Sequence, residues 1–418
     1  MNLFTQVFLL FLLLGTGLEV WLLLRHMRYV RANRGEVPKA FCDKVSLQEH
    51  QKAADYTQAK GRLALIEMLL GVVVLLFWTL GGGIEGLIRL SANYVSGATL
   101  SGLALFFLFF LINGLLDLPF SLYRTFRLEV AFGFNRMTVK QYIKDRLMGL
   151  LLGILLGGPL LWIILMLMQG AGTYWWLAAW VVWMGFTLGI SWAYPRFIAP
   201  LFNAFTPLEA GVTRDRILNL LQRCGFTSEG IFVMDGSKRS AHGNAYFTGF
   251  GKNKRIVFFD TLLEKLNGEE AEAVLAHELG HFHHKHIHKQ MGIMALLSLG
   301  GLALLGWISQ QIWFYQELGI SQPSQAAALL LFMLILPVFT IFFTPMGSFL
   351  SRRHEFEADH YAMEQSNGEY LVRALVKLYQ DNASTLTPDP LYSMFHDSHP
   401  PAPVRIARIT QQTPDVPG

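Results

Sequence analysis

Hydrophobic residues in this chain are gathered into seven long, nearly uncharged stretches that are separated by more polar segments. Each stretch approaches the roughly 20 apolar residues that an α-helix needs to cross the hydrocarbon core of a bilayer. The pattern therefore predicts seven membrane helices, at residues 3–24, 63–84, 100–123, 147–168, 174–194, 291–308 and 325–345. The first stretch is longer than the core of a signal peptide and lacks a basic leader, so we expect it to remain as a permanent helix.

The polar remainder of the chain is concentrated in two segments, one between the fifth and sixth stretches and one after the seventh. We expect four regions: 1–194 with five helices and their loops, 195–290 as a polar module, 291–350 with two helices, and 351–418 as the second part of that module. Hydrophobic residues make up 52% of the chain and charged residues 15%, and the mean hydropathy is +0.36. This composition predicts a mainly α, polytopic membrane protein with an added α+β module.

Basic residues mark one side of the predicted membrane protein. The segments between helices 1 and 2 and between helices 3 and 4 carry nine and six of them, whereas the opposite loops carry only Arg89. Loops rich in Lys and Arg stay in the cytoplasm, so we expect both polar segments there and the N-terminus on the other side. The net charge of +4 then reflects topology and contact with anionic lipid, without a nucleic-acid partner. Cys42 and Cys224 fall in predicted cytoplasmic segments, where no disulfide is expected.

A candidate metal site lies in the first polar segment, at His277-Glu278-Leu279-Gly280-His281. Two histidines four residues apart share one face of an α-helix, so both imidazoles can reach one Zn²⁺. Glu278 lies beside the metal's open coordination position, where it can take a proton from zinc-bound water and pass it to a leaving amine. This HExxH pattern is typical of zinc peptidases.

The residues around this motif favour a helix that follows a strand. Asn267 with Glu270 three positions later is typical of a helix N-cap, and residues 271–276 are strong helix formers. The apolar, β-prone run at 255–260 predicts a strand just upstream.

A catalytic zinc usually has three protein ligands, and the third is predicted in the second polar segment. Glu355 and Asp359 are four residues apart on one helical face. Glu355 can therefore bind the metal while Asp359 accepts the free N–H of a liganding imidazole. Glu357 lies about 200° around the helix from Glu355, and His354 also points away from that face, so we do not expect either to bind the metal.

Further motifs extend along nearly the whole chain. They are, in order, Leu118-Pro-Phe-Ser-Leu-Tyr-Arg124, Gly133-Phe-Asn-Arg136, Ile198-Ala-Pro-Leu-Phe-Asn203, Thr206-Pro-Leu208, Gly236-Ser-Lys-Arg-Ser240, Asn244-Ala-Tyr-Phe247, the HExxH helix, Glu355-x-x-Ala-Asp359 and Ser398-His-Pro-Pro401. With these motifs the sequence resembles the type I CAAX prenyl proteases, which are integral-membrane zinc endopeptidases of the gluzincin type. The resemblance implies seven helices that enclose a large intramembrane chamber, with the zinc site at its cytoplasmic end.

The resemblance also implies individual residue roles. It assigns zinc to His277, His281 and Glu355 and the general base to Glu278, in agreement with the prediction from the residues themselves. It assigns substrate or transition-state contacts to His399 and Arg405, and backbone pairing with the substrate to an edge strand that contains Asn244 and Ala245. An imidazole N–H or a guanidinium can stabilise the oxyanion of a tetrahedral intermediate. The His-Pro-Pro sequence predicts a rigid turn before a helix that carries Arg405.

The implied function is that of a membrane zinc metalloendopeptidase with one Zn²⁺ per chain. It would remove a C-terminal tripeptide after a prenylated cysteine, and we expect it to act as a monomer. A quality-control zinc protease that cuts unprenylated membrane proteins would have identical active-site residues, so the sequence leaves that alternative open.

A histidine-rich tract follows the HExxH motif and introduces a competing class of protein. Such tracts also occur in zinc transporters and sensors; the histidines here are His283, His284, His286 and His288. An ion pathway needs ionisable groups within the spans, which hold only a few: Glu19, Glu67 and Asp117. We therefore expect the tract to extend the active-site helix towards the membrane surface without binding the metal.

Overall fold

Seven long helices dominate the computed structural model, which describes residues 2–248 and 255–412. Within these residues, the helices long and apolar enough to cross a bilayer are TM1 (Leu3–Ala32), TM2 (Leu47–Trp78), TM3 (Ala98–Ala131), TM4 (Val139–Gly170), TM5 (Gly172–Phe202), TM6 (His286–Ile308) and TM7 (Gln325–Gln365). The prediction of seven membrane helices is confirmed. The last residues of the predicted 351–418 region lie outside the described residues.

TM2 differs from its predicted bounds at both ends. It begins early because Ser46 caps it, with the Glu49 backbone N–H donating to the Ser46 hydroxyl over 3.2 Å. It ends at Trp78, and Ile84 belongs to the next helix, α1 (Gly83–Tyr94). Gly82 between them has a φ of 76°, a left-handed conformation that glycine adopts without strain. Hydropathy does not register this break because the glycines there interrupt the backbone without adding charge.

TM7 runs well past its predicted end at residue 345. Pro345 stands in the first turn of the helical segment Thr344–Gln365, where proline is tolerated because the first backbone N–H groups have no partner within the helix. The segment that carries Glu355 and Asp359 is thus a direct continuation of a membrane helix.

The polar module contains a small mixed sheet. Its strands are β1 (Phe205–Pro207), β2 (Gly230–Met234), β3 (Ala245–Thr248) and β4 (Arg255–Phe259), in the order β1-β2-β4-β3. β2 and β4 are parallel, whereas β1 and β3 run antiparallel to their neighbours. β4 confirms the predicted strand before the HExxH motif. Within the described residues β3 pairs only with β4, so it forms one edge of the sheet.

Besides α1, seven further α-helices lie outside the membrane helices in the described residues. They are α2 (Val212–Arg223), α3 (Asp260–Leu263), α4 (Gly268–His283), α5 (Ile312–Gln316), α6 (Gly368–Asp381), α7 (Pro390–His396) and α8 (Ala402–Gln412). The core of the module joins the sheet, α4, the end of TM7, α6 and α8, and its buried members include Phe258, Leu275, Ala362, Leu371 and Ile406. Because α4 lies inside this core, burial on several sides holds the HExxH helix in place.

A cavity of about 1480 Å³ lies among the membrane helices. Its walls come mainly from apolar side chains of TM3, TM4, TM6 and TM7, such as Phe106, Leu150, Leu302 and Phe332, and they include the carboxylate residue Asp145 of TM4.

The same Asp145 attaches the polar module to the membrane helices. Arg239 donates to it from Nε over 2.8 Å and from Nη2 over 2.9 Å. Next to Arg239, the Ala241 backbone N–H donates to the Phe134 carbonyl in the TM3–TM4 loop over 3.0 Å. The segment that leads into β3 is therefore fixed to a helix that lines the cavity.

Candidate active site

The helix α4 begins with the predicted cap. The Asn267 side chain accepts from the Glu270 backbone N–H over 2.9 Å, and the Glu270 carboxylate accepts from the Asn267 backbone N–H over 2.9 Å. This reciprocal pair satisfies two N–H groups that the first turn leaves without partners. The N-cap prediction is confirmed, and the cap fixes the residue at which the helix of the two histidines begins.

Gly280 allows α4 and TM7 to approach each other closely. A Cβ atom at this position would lie 2.8 Å from Ala358 Cα and 3.0 Å from the Ala358 carbonyl oxygen. Both neighbours are backbone atoms, which cannot rotate away as a side chain can. The absence of a side chain at Gly280 therefore brings the helix of Glu355 against the helix of the two histidines.

The three predicted ligands meet with the spacing of a tetrahedral zinc site. His277 Nε2 lies 3.3 Å from His281 Nε2 and 3.5 Å from Glu355 Oε2, and His281 Nε2 lies 3.4 Å from Glu355 Oε1. Ligand atoms about 2.0–2.1 Å from a zinc ion are about 3.3–3.4 Å apart in a tetrahedron. The donor set and its geometry therefore fit one zinc ion, which agrees with the grouping of these three residues as a metal site.

Asp359 contacts the back of the first histidine. Its Oδ1 lies 2.8 Å from His277 Nδ1, and because a carboxylate only accepts, Nδ1 carries the proton and Nε2 is left for the metal. Arg405 in turn donates to Asp359 from Nε over 2.8 Å, and its Nη1 lies 3.6 Å from Glu355 Oε2. The Asp359 carboxylate raises the pKa of Arg405 against the opposing effect of burial.

The two residues predicted to contact the transition state both lie near Glu355 but differ in exposure. His399 Nδ1 is 2.8 Å from Glu355 Oε2, and its side chain is 65% exposed. Arg405 is only 8% exposed and lies behind Asp359. The predicted helix after the His-Pro-Pro turn is confirmed, because α8 begins at Ala402.

Glu278 lies on α4 directly after the first histidine. Burial raises the pKa of its carboxyl, against the lowering effect of His277 and His281.

The predicted substrate strand lies at the sheet edge next to α4. Ala245 is the first residue of β3 and pairs with Phe258, while the Asn244 side chain is exposed. The rings of Phe247 in β3 and Phe282 in α4 are 5.1 Å apart, so the edge strand packs directly on the helix of the metal ligands.

The histidine tract does not continue the active-site helix as predicted. α4 ends at His283, and Lys285 has a φ of 56° before TM6 begins at His286. In an unbroken helix His286 would point about 140° away from His281, so the sequence contained no local indication that the two meet. They do meet, with 2.9 Å between their Nδ1 atoms, and Glu357 lies on the far side of His286, 2.9 Å from its Nε2.

This fold and site define an integral-membrane zinc metallopeptidase. A family model described as CAAX prenyl protease N-terminal, five membrane helices, matches residues 26–204, and one for peptidase family M48 matches residues 207–413. The chain belongs to the CAAX prenyl protease 1 family of these metallopeptidases, and it is an enzyme rather than a zinc transporter or sensor.

Relatives of known name cover almost the whole chain. It is 33% identical to the CAAX prenyl protease 1 homolog of Oryza sativa subsp. japonica, over 97% of this chain and 97% of that protein. It is 32% identical to CAAX prenyl protease 1 of Saccharomyces cerevisiae, over 92% and 91%. The crystal structure of S. mikatae Ste24p superposes with a TM-score of 0.91 at 31% identity, over 98% of this chain and 99% of that one.

Proposed function

We propose that this enzyme removes the C-terminal tripeptide that follows a prenylated cysteine in CAAX proteins. The observation that carries the proposal is the apolar cavity of about 1480 Å³, whose residue Asp145 also binds Arg239 in the segment before β3. This volume exceeds the roughly 300–1,000 Å³ of ordinary ligand pockets. An isoprenoid chain in the cavity would gain about 0.8 kcal/mol for each buried CH₂ group, and its peptide would extend towards the edge strand.

The zinc ion would be held by His277, His281 and Glu355. When bound, it supplies a Lewis acid that polarises the scissile carbonyl and lowers the pKa of water to about 7. Glu278 takes the proton from the attacking water and delivers it to the amine of the departing peptide.

The remaining predicted residues bind the substrate or hold a zinc ligand in position. His399, on the exposed side of Glu355, donates an imidazole N–H to the oxyanion of the tetrahedral intermediate. Asp359 orients His277, and Arg405 holds Asp359. Asn244 and Ala245 accept the substrate backbone as an added strand at the edge of the sheet. One chain carries every residue that this mechanism uses, so a single copy would suffice, and we propose that the enzyme acts as a monomer.

The catalytic site would face the cytoplasm, with the N-terminus on the opposite side. The basic loops and the polar module are in direct contact: Gln380 of α6 donates to the Lys44 carbonyl over 2.8 Å. The loops with most basic residues and the metal site therefore share one side of the membrane, and such loops remain cytoplasmic. The cavity would form part of the chamber that opens to this side.

The substrate proposal is tested with one CAAX peptide, prepared with and without a prenyl group on its cysteine. Purified, zinc-loaded enzyme in detergent should release the tripeptide from the prenylated peptide with a much higher kcat/KM. The Glu278→Gln variant provides the background for both peptides. Equal kcat/KM values for the two peptides would contradict the proposal and favour the quality-control alternative.

A further inference from the structure

The two candidate zinc histidines are supported in different ways. His277 has the carboxylate of Asp359 at its Nδ1, 2.8 Å away. His281 has a second imidazole instead, with His286 Nδ1 at 2.9 Å from its Nδ1. A histidine that binds metal through one nitrogen needs a partner that accepts the proton of the other, so His286 is the group that must accept from His281.

The carboxylate of Glu357 decides which way the protons lie along this chain of contacts. His286 Nε2 is 2.9 Å from Glu357 Oε2, and a carboxylate accepts but does not donate. Because a neutral imidazole has a single N–H, the proton of His286 is on Nε2 and its Nδ1 has a free lone pair. That lone pair faces Nδ1–H of His281, so Nε2 of His281 is unprotonated where it faces His277 and Glu355.

A turn in the backbone between His281 and His286 makes their contact possible. Lys285 has a φ of 56°, a left-handed conformation that is strained for a non-glycine residue. This break turns His286 back towards His281. His286 is 1% exposed and stacks on His354 with 4.0 Å between ring centroids. Arg353 donates to the other oxygen of Glu357 over 3.1 Å. Packing therefore holds His286 in place, and a hydrogen bond holds Glu357.

We propose that His286 and Glu357 are positioning residues that set the tautomer and orientation of His281 as a zinc ligand. They do for His281 what Asp359 does for His277, with one imidazole added between histidine and carboxylate. The proposal rests on the assignment of His277, His281 and Glu355 as the zinc ligands. Neither His286 nor Glu357 touches the metal or the substrate; both act through His281.

The test measures the zinc dissociation constant of the purified full chain in detergent, by competition with a chelator of known affinity. His286→Leu should bind zinc about 10–100-fold more weakly, as expected when the partner of a liganding histidine is removed. The control is His288→Leu, an exposed position in the same tract, which should stay within about twofold of the parent. Cobalt-substituted enzyme should show an altered visible absorption spectrum in His286→Leu and an unchanged one in His288→Leu.

Further variants distinguish the loss of the hydrogen bond to His281 from a loss of packing around His286. His286→Asn presents a carbonyl oxygen near the position of Nδ1 and should recover most of the zinc affinity that His286→Leu loses. Glu357→Leu should weaken zinc binding in the same range, whereas Glu364→Leu, an exposed carboxylate on the same helix, should not. The Glu357 pair does not alter a buried position, so it decides the question even if His286→Leu fails to fold.

Two results would overturn the proposal: His286→Leu and Glu357→Leu that bind zinc as tightly as their controls, or His286→Asn that binds as weakly as His286→Leu. A failure of the ligand assignment would look different. In that case His281→Ala would itself retain the zinc affinity of the parent enzyme.

Discussion

Arg405 holds Asp359 through two nitrogens, with Nε 2.8 Å from Oδ2 and Nη2 2.5 Å from Oδ1. Asp359 in turn lies 2.8 Å from Nδ1 of His277. The first histidine is thus supported by a carboxylate that is itself held by a guanidinium from the C-terminal helix α8. Two parallel N–H donors on one carboxylate restrict its rotation more than a single contact does. The fixed carboxylate in turn fixes the orientation of the His277 imidazole.

We expect Glu278→Gln to abolish peptide cleavage while zinc stays bound. In the proposed mechanism this carboxylate transfers protons, and Glu278 is not among the three residues grouped as a metal site, so activity and metal content should separate. Loss of a general base typically costs about 10²–10⁴-fold in rate. Metal analysis and cleavage assays on one preparation measure both quantities; zinc loss in this variant would instead make Glu278 a ligand.

Glu355→Ala should reduce zinc content as well as activity, because two histidines alone form an incomplete site. Asp359→Ala should act more mildly on the metal, by about 10–100-fold in zinc affinity or rate, because it removes the partner of His277 and not a ligand. It also leaves the buried Arg405 without its carboxylate, so its melting temperature should fall. Zinc titrations of the two variants beside the parent enzyme give the order of the effects. Full zinc occupancy in Glu355→Ala would show that the third ligand is elsewhere.

His399→Ala and Arg405→Ala should fail for different reasons. His399 is exposed beside Glu355, so its variant should keep zinc and thermal stability but lose about 10²–10³-fold in kcat. Arg405→Ala leaves the buried carboxylate of Asp359 without its cation, and breaking a buried pair costs about 3–5 kcal/mol. Its melting temperature should therefore fall, together with zinc affinity. Calorimetry with metal analysis distinguishes the two; identical behaviour of both variants would contradict this division of roles.

Gly280→Ala should weaken the site although it changes no ligand. The added methyl group would lie against backbone atoms of Ala358, and such overpacking costs about 1–3 kcal/mol and separates α4 from TM7. The matched control is Gly292→Ala in TM6, where a Cβ has no neighbour within 4 Å. Zinc affinity and melting temperature should fall in the first variant and stay level or rise in the second, since alanine favours helix. If zinc affinity and melting temperature fell equally in both variants, the close packing of Gly280 against Ala358 would not be the cause.

The elements that the sequence predicts well depend on residues near one another in the chain. Seven apolar stretches suffice for seven helices, because crossing a bilayer requires a minimum apolar length. The four-residue spacing of His277 and His281 places both rings on one helical face, and Asn267 with Glu270 forms a cap within a single turn. In each case the structure follows from helix geometry alone or from the transfer of apolar side chains out of water.

Breaks in the helices and contacts across the fold were decided by the tertiary structure. A helical period predicts that His286 points away from His281, yet the left-handed turn at Lys285 brings them together. The contacts of His286 with His354 and Glu357 of TM7 support this arrangement. Likewise, the sequence predicts a helix that carries Arg405 but does not predict its burial, which depends on Asp359 of TM7. Local pattern determines which face a side chain occupies; the partner that it meets there depends on the packing of distant segments, which local pattern does not encode.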